Sequence, residues 1–248
     1  LEFRRVLFRS AGKHVLCEKS MAANAAQAQE MSAAAASSGL VLMDAFHYRY
    51  HPLFQRVREI YRSGCLGEIR SIDAAFHVPV TDANDIRMNY ATGGGVTMDI
   101  GCYPISWVRH LTDGEPEVVS AVAEVGPPEV DLMLTAEMKL DDVSITTSGD
   151  MRPSTSFVAS LHVVGEEGEM RVHNVIAPQF GNRIELALGK ERSVETFDRR
   201  PTYAYQLDTF LEAVEQDMTP ATDGDDGVRQ MQVIDACYMA AGLRKRGE

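Results

Sequence analysis

Three residues of types that move protons or bind oxygen stand close to turn signals. Lys19 follows a short apolar run, and Asp99 and Tyr103 lie four residues apart. A lysine ammonium can donate to a substrate oxygen and lower the pKa of a neighbouring acid. Because tyrosine has an ordinary pKa of about 10, Tyr103 would need such a cation to carry a proton at neutral pH. The same residues also allow a solvated Lys19 paired with Glu18, a packed Tyr103 and an Asp99 that caps a helix.

Pro104 determines where the helix that carries Tyr103 can begin. A spacing of four would place Asp99 and Tyr103 on one face of a continuous helix. Proline, however, disfavours helical backbone at the residue before it and is best tolerated in the first helical turn. We therefore expect a helix that begins near Pro104, with Tyr103 at its mouth and Asp99 in the preceding turn.

A histidine pair lies in the segment DAFHYRYHP at 44–52. His47 and His51 have the spacing that binds zinc on a helix, but the aromatic residues between them and Pro52 favour extended backbone. No third ligand is evident, so we expect no metal site. Arg49 and His51 are instead candidates to line a polar pocket at a strand end, or are simply polar surface residues.

The first part of the chain has the pattern of a strand, a helix and a second strand. A short apolar run at 15–17 precedes an alanine-rich stretch at 21–38, which Gly39 can end, and a second apolar run follows at 40–43. This order predicts a parallel βαβ unit. Because one such unit cannot bury both faces of a parallel sheet, we expect further strands to precede this chain.

The pattern changes after a predicted amphipathic helix that begins at Pro52. Runs with β-strand character, separated by Gly, Pro and Asp, predict a mainly antiparallel sheet at 69–79, 117–125, 131–140, 143–151, 156–164, 169–175 and 183–188. Apolar residues at helical spacing predict two closing helices, at 203–216 and 227–243. The fold class is therefore α/β, with a small parallel unit followed by a large open sheet flanked by helices.

Composition narrows the classes of partner. The formal net charge is −12, the pI is near 5.0, and no segment clusters Lys and Arg, so we expect neither nucleic acid nor an anionic membrane as a partner. No apolar run reaches the roughly 18 residues that a transmembrane helix needs. The 4 cysteines are widely spaced, which fits free thiols in a reducing compartment. We accordingly predict a cytoplasmic protein.

Several motifs together resemble the Gfo/Idh/MocA oxidoreductases, which include glucose-fructose oxidoreductase, inositol dehydrogenase and sugar dehydrogenases. They are GKHVLCEKS at 12–20, DAFHYRYHP at 44–52 and GGGVTMDIGCYPI at 93–105, with weaker support from 205–210 and 234–242. The first three are specific in combination. The resemblance extends over nearly the whole chain after residue 11.

The resemblance implies a site that joins two distant segments. Lys19 matches the lysine of the family's Glu-Lys-Pro motif beside the nicotinamide, so Glu18 and Lys19 are expected to contact a cofactor, NAD or NADP. Asp99 and Tyr103 match the Asp and the His or Tyr of the substrate-side motif and are expected, with Lys19, to be catalytic. Ser20 replaces the motif's proline, which implies either a less rigid loop or a Ser20 that caps the next helix.

The implied activity is an NAD(P)-dependent dehydrogenase for a sugar, polyol or diol. Tyr103, with its pKa lowered by Lys19, would exchange the hydroxyl proton, and Asp99 would orient the substrate. Arg49, His51 and Tyr205 are the expected wall of the substrate pocket. The Gly-Cys-Tyr-Pro setting is most similar to aldose and dihydrodiol dehydrogenases.

The resemblance also implies a domain plan: a partial Rossmann sheet at 11–46, then an α+β substrate-binding and homo-oligomerisation domain at 47–248 built on the open, mainly antiparallel sheet. Residues 1–10, LEFRRVLFRS, have the look of a cloning scar. No GxGxxG turn occurs, so we expect an N-terminally truncated chain that is inactive. Whether the parent protein begins with an export signal stays an open question. The alternatives are a non-catalytic fragment and a sugar-binding or regulatory relative.

Overall fold

The computed structural model describes residues 12–127 and 129–248. The expected scar at 1–10 lies outside the described residues. None of the described helices is long and apolar enough to cross a membrane.

The predicted βαβ unit is confirmed. Strands β1 (Val15–Cys17) and β2 (Leu42–Asp44) pair in parallel, and helix α1 (Ala25–Ser38) connects them. The helix begins later than expected because the Asn24 side chain caps it, accepting a hydrogen bond of 3.0 Å from the Gln27 amide. Gly39 ends it in a left-handed conformation, with φ at 63°. Lys19 and Ser20 therefore lie in the loop between β1 and α1.

The segment after β2 differs from the prediction. A 3₁₀ helix spans His47–Tyr50, where we expected extended backbone, and helix α2 (Pro52–Arg62) follows it directly. The steric effect of Pro52 reaches only the residue before it, and His51 is indeed extended, with φ at −73° and ψ at 140°. The short turn makes the residues from His47 to Tyr50 face in different directions.

The large sheet has the predicted open, mainly antiparallel form. Its described strands are β3 (Ile69–His77), β4 (Glu117–Gly126), β5 (Val130–Leu140), β6 (Val143–Asp150), β7 (Val158–Gly165), β8 (Gly168–His173), β9 (Arg183–Leu188) and β10 (Glu191–Glu195). Their order across the sheet is β10-β9-β8-β7-β3-β6-β5-β4, and among these strands only β3 and β6 pair in parallel. The edge strand β10 was not predicted because it is short, charged and exposed, so it shows no apolar face.

The glycine-rich motif forms a helical turn on the sheet. A π-helical turn (Thr97–Gly101) continues into helix α3 (Cys102–Thr112), which packs on β3 and β6. A Cβ on Gly149 of β6 would stand 2.8 Å from the Cα of Gly101, so this turn lies directly against the strand. Buried Asp131 holds its start by accepting hydrogen bonds of 2.8 Å and 2.6 Å from the Thr97 amide and hydroxyl.

Two helices complete the structure, as predicted. Helix α4 (Thr202–Glu215) packs on the His47–Tyr50 turn, and helix α5 (Gly224–Ala240) packs on α1 and α3. Between α3 and α5, the buried Arg109 guanidinium pairs with Asp226 at 2.9 Å. This buried pair fixes α3, and with it the first turn that carries Tyr103.

Candidate active site

The structure brings Lys19 and Asp99 together across 80 residues of sequence. The Lys19 Nζ donates to the Asp99 carbonyl oxygen at 2.7 Å and to its Oδ1 at 2.5 Å. Only 10% of the Lys19 side chain is exposed. The loop after β1 and the π-helical turn before α3 are the two elements that meet here.

Arg87 is a second cation on Asp99, and the sequence reading did not anticipate it. Its guanidinium donates to the Asp99 Oδ2 and to Asp85. Burial works to raise the pKa of the Asp99 carboxyl, but Lys19 and Arg87 outweigh it and hold that pKa below its usual range. Asp99 is therefore ionised at neutral pH, and it neutralises part of the positive charge of both cations.

Tyr103 lies in the first turn of α3, close to the predicted position. The Lys19 Nζ lies over the face of its ring, 5.1 Å from the ring centre. The expected lowering of the tyrosine pKa is not found: burial raises the pKa of Tyr103 well above its usual value. Tyr103 therefore carries its proton at neutral pH.

The Tyr103 hydroxyl has His47 as its hydrogen-bond partner, with its oxygen 3.3 Å from the His47 Nε2. On its other side the His47 ring stacks on Tyr203 of α4, with ring centres 4.2 Å apart. Burial, with the nearby Lys19 charge, lowers the pKa of His47 to about 4. The imidazole is therefore neutral at physiological pH.

Two clefts meet at the group formed by Lys19, Asp99 and Arg87. The first, of about 500 Å³, runs between the start of α1 and the segment 86–94. The second, of about 530 Å³, lies over the end of β3 and is lined by Glu18, Lys19, His47, Phe76, Val78, Arg87, Asp99, Ile100, Tyr103, Ile176, Ala177, Gln179, Phe180 and Tyr203. Glu18 also lines both. A molecule bound in one cleft would therefore contact a molecule bound in the other cleft beside Lys19.

The structure does not bring three predicted pocket residues to either cleft. Arg49 is buried with its guanidinium 5.9 Å from the ring of Phe54. The His51 ring packs on Tyr205 at 5.1 Å, and the Tyr205 hydroxyl donates to Asp198 at 2.6 Å. These contacts give Arg49, His51 and Tyr205 roles in packing α2 and α4.

Comparison with known proteins agrees with this geometry. Residues 54–171 match the GFO/IDH/MocA C-terminal domain, and residues 7–46 match the NAD-binding Rossmann fold of the oxidoreductase family. The D-xylose 1-dehydrogenase (NADP(+)) 2 of Haloferax volcanii is 30% identical over 236 residues, which cover 93% of this chain and 71% of that protein. The chain belongs to the GFO/IDH/MocA oxidoreductase family.

Two further similarities fall within this family. The trans-1,2-dihydrobenzene-1,2-diol dehydrogenase of Mus musculus is 31% identical over 190 residues, covering 74% of this chain and 53% of that protein. The crystal structure of KijD10, a 3-ketoreductase from Actinomadura kijaniata in complex with NADP and TDP-benzene, matches with a TM-score of 0.89 and 27% identity, covering 98% of this chain and 74% of that one. The chain is therefore an oxidoreductase of an NAD(P)-dependent family.

The described residues fit the nicotinamide end of NAD or NADP. The first cleft has the size of a small-molecule site and ends at the Lys19 ammonium. The start of α1, by contrast, is closed to a pyrophosphate, because Asp235 accepts from the Ala25 amide at 3.1 Å and the Asn24 side chain donates to the Arg246 carbonyl at 2.9 Å. Glu18 and Lys19, the two residues expected to contact the cofactor, both line this cleft.

Three cleft residues, His47, Arg87 and Tyr203, were missed from the sequence. In a 3₁₀ helix His47 and Arg49 are about 240° apart around the axis, so only one can face the cleft. Tyr203 and Tyr205 are about 200° apart on α4, and the helix turns Tyr203 toward His47. A helical reading of 47–50 could have selected His47, whereas no sequence signal singled out Arg87.

Proposed function

We propose that this protein transfers a hydride between a nicotinamide cofactor and a sugar or a related polyol or diol. The observation that carries the proposal is the meeting of Lys19, Asp99 and Tyr103 where the two clefts join. The first cleft takes the nicotinamide end of NAD or NADP, and the second takes the substrate. The nicotinamide, when bound, supplies or accepts the hydride.

In the proposed reaction Tyr103 exchanges a proton with the substrate oxygen. Burial keeps its hydroxyl protonated at neutral pH, which suits it to protonate a carbonyl oxygen in the reducing direction. That transfer leaves a tyrosinate, and in the oxidising direction it is this deprotonated oxygen that takes the proton from the carbinol hydroxyl. The buried ring, packed edge-on against Phe46 and Phe76, fixes where that oxygen lies.

Lys19 supplies positive charge where negative charge develops on the substrate oxygen. Asp99 engages two of its three N–H groups, so the third remains for a substrate oxygen. Asp99 in turn keeps the lysine charged and immobile, because Arg87 holds its second carboxylate oxygen. Asp99 thus acts on the substrate mainly by positioning Lys19. Its exposed carboxylate edge can also accept a hydrogen bond from a substrate hydroxyl.

The lining of the second cleft supports a sugar-like substrate. The rings of Phe76, Tyr103 and Tyr203 offer apolar faces for the C–H groups of a sugar ring, and Arg87 and Gln179 offer polar groups for its hydroxyls. An apolar diol would leave the buried side-chain oxygen of Gln179, which has no hydrogen-bond partner among the described residues, still unpaired, at a cost in binding free energy. We therefore place sugars ahead of aromatic diols.

The proposal is tested by assaying the protein, as the cell produces it, with a panel of aldoses, ketoses, polyols and dihydrodiols. Each substrate is assayed with NADH, NADPH and their oxidised forms. We expect turnover of at least one sugar, with kcat/KM at least about tenfold above any dihydrodiol. Turnover of dihydrodiols alone would contradict the sugar assignment. Absence of any nicotinamide oxidation or reduction across the panel would contradict the proposed function.

The domain division at residues 46 and 47, the homo-oligomer through the open sheet and the cytoplasmic location stay predictions. Size-exclusion chromatography with light scattering tests the oligomer.

A further inference from the structure

His47 is the second partner of the proposed catalytic tyrosine. It is 4% exposed, and it lies between Tyr103 of α3 and Tyr203 of α4. Its Nε2 is 3.3 Å from the Tyr103 oxygen, whereas its Nδ1 is buried and has no hydrogen-bond partner among the residues that the structure describes. The two ring nitrogens therefore have very different surroundings, which distinguishes the two neutral tautomers.

The partnerless Nδ1 decides between these tautomers. With the proton on Nδ1, a buried N–H would lack an acceptor among the described residues. With the proton on Nε2, Nδ1 keeps only a lone pair, and a buried acceptor without a partner is tolerated better than a buried N–H without one. In that tautomer the His47 Nε2–H donates to the Tyr103 oxygen.

This direction of the hydrogen bond determines what Tyr103 offers to a substrate. A phenol has one proton and can accept hydrogen bonds at its oxygen. If His47 donates to that oxygen, the tyrosine proton cannot point at Nε2. It is left to point into the second cleft, where a substrate carbonyl oxygen can accept it.

We propose that His47 is a positioning residue: its Nε2–H holds the Tyr103 oxygen and directs the tyrosine proton into the substrate cleft. The site is thereby arranged to bind a carbonyl oxygen and to protonate it. The role of Tyr103 in this inference rests on the proposed function, but the tautomer of His47 does not.

Heteronuclear NMR of the histidine ring nitrogens tests the tautomer without turnover. The His47 signal is assigned by its loss in His47→Gln. We expect the Nε2–H tautomer from about pH 5 to about pH 8, and a shift of that nitrogen in Tyr103→Phe. A proton on Nδ1, or an imidazolium at about pH 6, would overturn the inference.

Kinetics of two variants test the positioning role. His47→Phe keeps an aromatic ring for Tyr203 but loses the donor, whereas His47→Gln keeps an N–H donor. We expect His47→Phe to lower kcat for carbonyl reduction roughly 10-fold to 100-fold with a smaller change in KM, and His47→Gln to recover most of kcat. His162→Gln, on the sheet away from both clefts and paired with Glu169, is the matched control.

The outcomes separate this inference from the proposed function. If Tyr103→Phe is inactive but His47→Phe keeps the wild-type kcat, the proposed function stands and the positioning role is refuted. If both His47 variants lose the same kcat with the same fall in melting temperature, the role is structural and the inference is also refuted. If Tyr103→Phe keeps its activity, the proposed proton transfer by Tyr103 is refuted and the positioning role with it, and the NMR result still decides the tautomer.

Discussion

The Lys19 ammonium lies 2.5 Å from a carboxylate oxygen of Asp99, at the point where two clefts join. The pair connects the loop after the first parallel strand to the turn before α3. It keeps a cation at the expected place of reaction without leaving a buried charge unpaired. Its geometry leaves one lysine N–H for a substrate, so the loss of this ammonium should affect the reaction directly.

Lys19→Met removes the ammonium but keeps much of the side-chain volume. We expect kcat/KM for the best substrate to fall at least about 100-fold, because a donor aimed at developing negative charge is lost. Asp99 keeps Arg87 as a partner, so we expect the circular dichroism spectrum to be unchanged. Lys13→Met, in the exposed segment before β1, is the control. Equal kcat/KM in both variants would remove Lys19 from the mechanism.

Gly149→Ala tests whether the sheet sets the position of Asp99 and Tyr103. Its Cβ would lie 2.8 Å from the Cα and 3.0 Å from the amide nitrogen of Gly101, so the π-helical turn must shift. We expect a loss of about 2 kcal/mol in the free energy of unfolding together with a lower kcat. In the control Gly126→Ala, the atoms nearest the new Cβ belong to the Leu132 side chain, which can rotate away, and not to backbone. A wild-type kcat in Gly149→Ala would mean that the turn is not held by β6.

Asp44 should make stability depend on pH. It is 1% exposed, neither carboxylate oxygen has a hydrogen-bond partner among the described residues, and burial with nearby Asp226 raises its pKa from 3.8 to about 8. Between these values the folded state binds a proton that the unfolded state releases, so the free energy of unfolding falls as pH rises.

The measurement is urea unfolding across this pH range. Relative to Asp44→Asn, which cannot ionise, wild type should lose stability steadily from about pH 4 to about pH 8. Parallel pH dependence of the two proteins would show that Asp44 ionises normally in the folded state.

The order of elements followed from the sequence because local patterns determine it. The alanine-rich stretch that ends at Gly39 predicts a helix from its own residues, and each alternating run of the sheet predicts a strand in the same way. The strand β10 was not predicted because its stability comes from pairing with β9 and not from an apolar face. Tertiary pairing of that kind leaves no periodic signal in the strand itself.

The candidate site was only partly predictable. Lys19, Asp99 and Tyr103 came from motif resemblance, and the structure does bring them together. The predicted pocket wall stays untested as a substrate site, but the second cleft is lined by His47 and Tyr203 and not by the residues two positions further along, Arg49 and Tyr205. Which side of a short helix faces a cleft depends on what packs against its other sides, and that information is not local.

The most direct test of the account is the kcat of Tyr103→Phe on the best sugar substrate, with Tyr61→Phe of α2, outside both clefts, as the control. The substitution removes one oxygen atom and keeps the ring that packs on Phe46 and Phe76. We predict that kcat falls at least about 100-fold, with little change in KM or melting temperature, because the proton donor is lost. A kcat within about twofold of wild type would contradict the central claim that Tyr103 exchanges the substrate proton.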